Sequence, residues 1–145
     1  MPLVLMELPG DNYWESWNRF VKDQVLARGY IPQEDLSSYK IAHSAEEATA
    51  WIRSYYSTYH STRQVRDRLV IRLEKELSQD HLSQLNHSFA DLVKVGEIVK
   101  SSPLAQEEDE PDILCKPRIS FRNNRQSVGR LNEMILAINQ MGSEV

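Results

Sequence analysis

Two periods of apolar residues alternate along this chain, and the places where the period changes mark its elements. Leu3-Val4-Leu5-Met6 is a short continuous apolar run, the pattern of a buried strand over residues 2–6. Gly10-Asp11-Asn12 then supplies a turn and a helix N-cap. Tyr13, Trp14, Trp17, Phe20, Val21 and Val25 recur at three- and four-residue spacing, which predicts an amphipathic helix. Gly29 sits where a C-terminal cap belongs, and Pro32 follows it. Residues 31–36 form a short helical turn opened by that proline, and residues 39–43 allow a further short strand. Ser44-Ala45-Glu46-Glu47 is a capping box, in which the Ser44 hydroxyl accepts from the Glu47 amide and Glu47 reaches back. The helix it opens carries Ala48, Trp51, Ile52 and Tyr55 on one face and is expected to end near Tyr59.

From there the period becomes two. Leu69, Ile71 and Leu73 alternate with Val70, Arg72 and Glu74, the signature of a half-buried strand. Ser78 caps a helix with Leu82, Leu85, Phe89 and Leu92 on its apolar face. A strand is predicted at 96–100 and another at 117–122, with a solvated loop over about 106–116 between them. A last helix spans 127–140 with Leu131, Met134, Ile135 and Ile138 facing inward, and 141–145 are expected to fray. The expected fold class is α/β passing into α+β. Residues 1–58 would be a terminal strand-helix unit of a Rossmann-like layer, and residues 59–145 a βαββα antiparallel-sheet lobe. A strand at 2–6 needs a pairing partner: the second sheet, another copy of the chain, or a domain outside this sequence.

Composition narrows the classes. At 145 residues the chain suffices for one core or for two small lobes sharing one. No apolar run approaches the roughly 20 residues that span a bilayer, so no membrane partner is expected. A net charge of -4 argues against general nucleic-acid binding. One cysteine, Cys115, forms no internal disulfide or multi-cysteine metal site, and it fits a reducing cytoplasm. The histidines show no ligand spacing, so neither metal nor cofactor is expected.

The charge that remains is unevenly placed. Arginine outnumbers lysine 11 to 6, in two clusters: Arg63, Arg66, Arg68 and Arg72, then Arg118, Arg122, Arg125 and Arg130. Guanidinium forks suit bidentate contacts to phosphate or carboxylate, and the carboxylates of the acidic run 107–112 are an internal alternative. Tyr59, His60, Arg63, Arg66 and Arg68 are anion or nucleotide candidates, with Arg63 and Arg66 the freest to reach a ligand. Arg122, Arg125 and Arg130 around Asn123-Asn124 are a second candidate group. Arg68 and Arg72 share a strand face opposite Leu69, Ile71 and Leu73. His60 is expected at a helix end, favoured by the helix dipole. Ser61 beside it is not expected to form a Ser-His dyad, because adjacent side chains rarely point at each other. Tyr13, Trp14, Trp17, Phe20 and Val21 are interface candidates, as large aromatics anchor interfaces.

The order of several short matches resembles the carboxyl-terminal part of the LONELY GUY family of Rossmann-like proteins. The matches are Leu3-Val4-Leu5, Tyr13-Trp14, Leu26-Ala27-Arg28-Gly29, Ile31-Pro32-Gln33-Glu34-Asp35-Leu36 and Ser44-Ala45-Glu46-Glu47-Ala48. The segment from Tyr59-His60-Ser61 through Asp67-Arg68-Leu69-Val70-Ile71-Arg72-Leu73 to the last helix is similar to the extension of longer bacterial members. The likeness covers nearly the whole chain. It implies a protein that binds nucleoside 5′-monophosphates and cleaves their N-glycosidic bond. The family's Pro-Gly-Gly-x-Gly-Thr-x-x-Glu loop is absent, since Gly10, Gly29, Gly96, Gly129 and Gly142 are all isolated. The resemblance therefore implies a non-catalytic closing portion of such a protein, which completes the Rossmann layer, supports oligomerisation and meets a phosphate ligand held elsewhere. The alternative is a stand-alone dimerising module without enzymatic activity.

Overall fold

The computed structural model describes residues 2–125 and 127–143. These form two sheets, one parallel and one antiparallel, in a mixed α/β arrangement. The frayed end expected at 141–145 is described only to Ser143. α4 ends at Met141, and residues 144–145 lie outside the described residues.

Strand β1 (Leu3–Met6) leads through helix α1 (Tyr13–Phe20) to strand β2 (Tyr39–Ala42), and the two strands pair in parallel from Leu3↔Tyr39 to Met6↔Ala42. The pairing partner that residues 2–6 require is thus the neighbouring strand of the same unit. α1 continues as a π-helical turn over Val21–Leu26 and closes on Gly29, which takes the left-handed φ of 73°. Asn12 occupies the N-cap position without making a side-chain bond. The cap comes from Glu7 instead, whose buried carboxylate accepts from the amides of Trp14 (2.9 Å) and Glu15 (3.2 Å). α2 (Ala45–Tyr55) is capped as expected: Ser44 Oγ accepts from Glu47 N at 3.1 Å, and Glu47 reaches back to the amide of His43.

The antiparallel sheet has the order β3-β4-β6-β5. β3 (Tyr59–Val65) is a strand where the sequence pattern gave a helix end and a turn. It pairs with β4 (Arg68–Leu73) across a two-residue Arg66-Asp67 turn. The lobe is therefore ββαββα rather than βαββα, and α2 stops four residues before Tyr59. α3 (Gln79–Ser88), β5 (Val93–Lys100), β6 (Arg118–Asn123) and α4 (Val128–Met141) complete it, with β5 three residues longer at its start than expected.

One sheet face carries the core. Leu69, Ile71, Leu73, Ile119 and Phe121 meet Leu82, Leu85 and Phe89 from the α3 side and Met134, Ile135 and Ile138 of α4, all buried. Asn139 of α4 is buried among them. Its Oδ1 accepts from the amides of Thr58 (2.9 Å) and Tyr59 (2.8 Å), and its Nδ2 donates to Tyr55 O (2.6 Å). One side chain thereby satisfies the backbone of the α2–β3 connection. The other junction is a glycine contact: a Cβ on Gly129 would lie 2.6 Å from the backbone of Glu34 in the 3-10 turn Gln33–Ser38. Ser37 Oγ donates to Gly129 O at 3.1 Å beside it. Among the described residues no helix is long and apolar enough to cross a membrane.

Candidate functional site: an arginine face and its basic rim

The pleat places Ser61, Arg63 and Val65 of β3, Arg68, Val70 and Arg72 of β4, and Arg118, Ser120 and Arg122 of β6 on the sheet face away from the core. That face is not half exposed. Val70 and Ser120 are inaccessible, and Arg72 and Arg118 are 2% and 3% exposed. The cover is the acidic segment itself, folded as two single 3-10 turns at Ala105–Glu107 and Pro111–Ile113. The expectation of a solvated loop is thus corrected: 105–113 is a lid, and Glu107 beneath it is wholly buried.

The register explains why. Arg72 and Arg118 stand directly opposite each other on β4 and β6. Like charges in that position repel. Glu107 Oε1 sits between them, accepting from Arg72 Nε at 2.9 Å and Arg118 Nη1 at 2.8 Å, while Oε2 accepts from Leu104 N at 3.0 Å. Arg118 Nη2 also donates to the carbonyls of Ile113 and Leu114, both at 2.8 Å. Burial works against the Glu107 charge, but the Leu104 amide and the two guanidinium groups outweigh it and hold the carboxyl below the usual range. Arg72 likewise stays charged against its burial, through Glu110 and Glu107.

The candidate residues sort themselves on this frame. Arg63 was expected to be free to reach a ligand. It is bound instead by Asp109 (2.6 Å) and Glu110 (2.6 Å) of the lid, which raise its pKa. Arg130 lies over the Phe89 ring, paired with Asp91 (2.9 Å) and Glu133 (2.6 Å). Arg68 donates to Ser120 Oγ at 3.2 Å. Tyr59 is a core residue, stacked on Tyr56 and 5.5 Å from Tyr55, whose hydroxyl pKa burial and its neighbours Tyr59 and Tyr56 push up to about 12. His60 sits on a strand, not at a helix terminus. A β-bulge between Tyr59 and Ser61 brings His60 Nδ1 within 2.8 Å of Ser61 Oγ, so the adjacent pair does meet. Among the described residues no third group orients that imidazole, so the pair lacks the support a nucleophile requires.

Arg66, Arg122 and Arg125 converge at the other end of the face. Asn123 N donates to Asp67 O at 3.2 Å, and Arg125 Nη2 donates to Arg66 O at 2.5 Å, tying the β3–β4 turn to the chain leaving β6. Lys94 of β5, which no sequence signal singled out, joins them. Arg66, Arg125 and Lys94, together with Asp67, Asn123 and Asn124, line an open depression of about 540 Å³. Arg66 and Arg125 hold left-handed φ angles of 55° and 59°, a conformation that costs a non-glycine residue on the order of 1 kcal/mol. Arg122 pairs with Asp67 at 3.3 Å, both exposed.

The interface candidates lie on the parallel unit. Tyr13 and Phe20 are 63% and 57% exposed, Trp14 is half-buried and Val21 is buried. Tyr13, Trp14, Trp17 and Tyr39 form a run of edge-to-face contacts with centroids 5.0 to 6.0 Å apart. α1 has no buried residue, and Leu3 and Met6 of β1 are about half exposed. No protein-family model, curated protein or solved structure matches this chain.

Proposed function

We propose that the chain is the non-catalytic closing portion of a nucleotide-binding protein of the LONELY GUY type, with β1 joining a Rossmann-like parallel sheet and the aromatic face of α1 sealing the junction. The observation that carries this reading is the open edge of β1. A parallel sheet is normally buried on both faces and extends over several strands. Among the described residues it stops here at two strands, with Leu3 and Met6 exposed at its margin and an aromatic helix none of whose residues is fully buried. Hydrolysis of the N-glycosidic bond of nucleoside 5′-monophosphates would belong to the joined protein. The loop that cradles the phosphate is missing from this sequence, and His60 lacks an orienting partner among the described residues.

The test mixes the chain with the Rossmann portion of a LONELY GUY-type protein truncated before its last strand. Light scattering is expected to show a one-to-one complex, weakened about tenfold or more by Phe20→Glu as an anchor residue. Base release from nucleoside monophosphates by the chain alone would overturn the reading. So would slow hydrogen exchange, in the free monomer, of the β1 amides that point away from β2, since an edge already satisfied has nothing to join. The same exposed face supports the alternative of a stand-alone dimer. A two-fold pairing would set β1 antiparallel to its own copy, and a stable homodimer that ignores the Rossmann portion would favour it.

A further inference from the structure

We infer that the rim formed by Arg66, Lys94 and Arg125 is a binding site for a compact diphosphate-bearing anion. The two ends of the arginine face are neutralised differently. At one end, the opposed pair Arg72↔Arg118 is neutralised by a buried carboxylate, and Glu110 and Asp109 complete the pairing of Arg72 and Arg63. At the other end the opposed pair is Arg68↔Arg122. The lid carboxylates do not pair with it. Among the described residues, three cationic side chains, those of Arg66, Lys94 and Arg125, line the depression beside that pair with a single carboxylate, Asp67, which Arg122 engages. Asp91, the other nearby acid, is held by Arg130.

This local excess of positive charge stands on a chain whose net charge is -4. Arg66 and Lys94 are exposed, and their side chains make no hydrogen bond or ion pair with another described residue. The rim is nevertheless fixed in place: Arg125 N donates to Asn123 Oδ1 at 3.1 Å, and Arg125 Nη2 holds the carbonyl of Arg66. A ligand thus meets charges already gathered, without ordering the loops that carry them.

Size and lining define the ligand class. A depression of about 540 Å³ falls in the range of small-ligand sites and exceeds what one phosphate fills. Its described lining contains guanidinium, ammonium, carboxamide and one carboxylate, and no aromatic ring on which a base would stack. The three lining cations, Arg66, Lys94 and Arg125, match the charge of a diphosphate better than that of one phosphate, so the recognised group is the diphosphate, whether free or carried on a nucleoside. The site shares no residue with the aromatic face of α1, so it stands or falls independently of the docking reading.

Calorimetric titration of the whole chain at low ionic strength tests it, using inorganic pyrophosphate, ADP and adenosine. Pyrophosphate and ADP are expected to bind with similar Kd, on the order of 1 mM or tighter, and to weaken as salt is raised. Adenosine is expected not to bind. Arg66→Asn keeps a residue that tolerates positive φ, and Lys94→Gln keeps the strand. Each should weaken pyrophosphate roughly fivefold to tenfold through loss of one charge-assisted contact, with unchanged circular dichroism, while Arg53→Ala leaves binding intact. Three outcomes would overturn the proposal: no pyrophosphate binding, binding indifferent to both rim substitutions, or adenosine competing as well as ADP. A single-stranded oligonucleotide bound where pyrophosphate is not would also refute it.

Discussion

Glu107→Gln isolates the role of the lid. The substitution keeps volume and shape and leaves an oxygen for the Leu104 amide, but it removes the charge between Arg72 and Arg118. Both guanidinium groups then remain buried, 2% and 3% exposed, and face each other across β4 and β6. Removing one partner of a buried ion pair costs about 3–5 kcal/mol. The lower end applies here. Arg72 keeps Glu110 at 2.5 Å, and Arg118 keeps carbonyl acceptors at Ile113, Leu114 and Lys116. A loss of about 3 kcal/mol corresponds to a fall in Tm of roughly 10 °C for a chain of this size. The assay is thermal and urea unfolding, read beside limited proteolysis across 101–117, where a loosened lid should be cut first. The triple change Arg72→Met, Glu107→Leu, Arg118→Met removes all three charges together and is expected to recover most of the loss. A Glu107→Gln variant within about 0.5 kcal/mol of the parent, inside the range of ordinary surface substitutions, with an unchanged cleavage pattern, would refute the account of the lid as the counter-charge of the sheet.

Acid should act on the same contact. The carboxyls of Glu107, Glu110, Asp109 and Asp91 are all held below their ordinary values. A depressed folded pKa contributes stability that is present above the unfolded value, about 4, and is lost as pH falls through the folded one. Unfolding midpoints are therefore expected to be flat from neutral pH down to about 5 and to drop below about 4, and the drop should be smaller in Glu107→Gln. Asn139→Ala leaves the amides of Thr58 and Tyr59 and the carbonyl of Tyr55 without their partner. A loss of about 3 kcal/mol or more is expected from urea titration, at roughly 1–3 kcal/mol per orphaned buried group. In Gly129→Ala, helix propensity favours alanine by about 1 kcal/mol. The clash at 2.6 Å is with the backbone of Glu34, which cannot rotate away. Net destabilisation and faster hydrogen exchange over 33–38 are expected, and a stabilised variant would show that this junction is loose.

What was legible in the sequence was local. The caps at Ser44 and Ser78 and the glycine stop at Gly29 depend on neighbours within a few residues, and they formed as read. The apolar face of α4 was equally plain, because it follows one helical period into the core; on α3 the same holds for Leu82 and Leu85, while the helix stops at Ser88, so Phe89 is its C-cap and Leu92 reaches the core from a separate 3-10 turn. β3 was missed because an edge strand faces solvent along much of its length. Tyr59-His60-Ser61-Thr62-Arg63-Gln64-Val65 buries only Tyr59 and Val65 and shows no apolar alternation. Its β-branched and aromatic members, set before a two-residue turn, were the available signal. Glu7 caps α1 across a turn, from seven residues away, outside the usual cap position, and Gly129 as a packing glycine and Lys94 as a rim cation act on residues distant in sequence or on another strand, so no spacing rule finds them.

The acidic run shows why the charge pattern alone misdirects. Six residues with five carboxylates read as solvated, since isolated carboxylates are expensive to bury. The reading reverses once β4 and β6 are paired. Leu69-Val70-Ile71 is apolar on both faces of its strand, so a sheet with Val70 at 0% exposure needs a cover on the side that also carries Arg72 and Arg118. An apolar cover would leave two opposed guanidinium groups buried and unpaired, and water would leave Val70 exposed. A segment whose acids are spaced to meet Arg63, Arg72 and Arg118 satisfies both demands at once. The arginines therefore select the acidic lid rather than the reverse. By the same logic the end of the face beyond the lid, where Arg68 opposes Arg122 and Arg66, Lys94 and Arg125 gather, is where a counter-charge from outside the chain has room to bind.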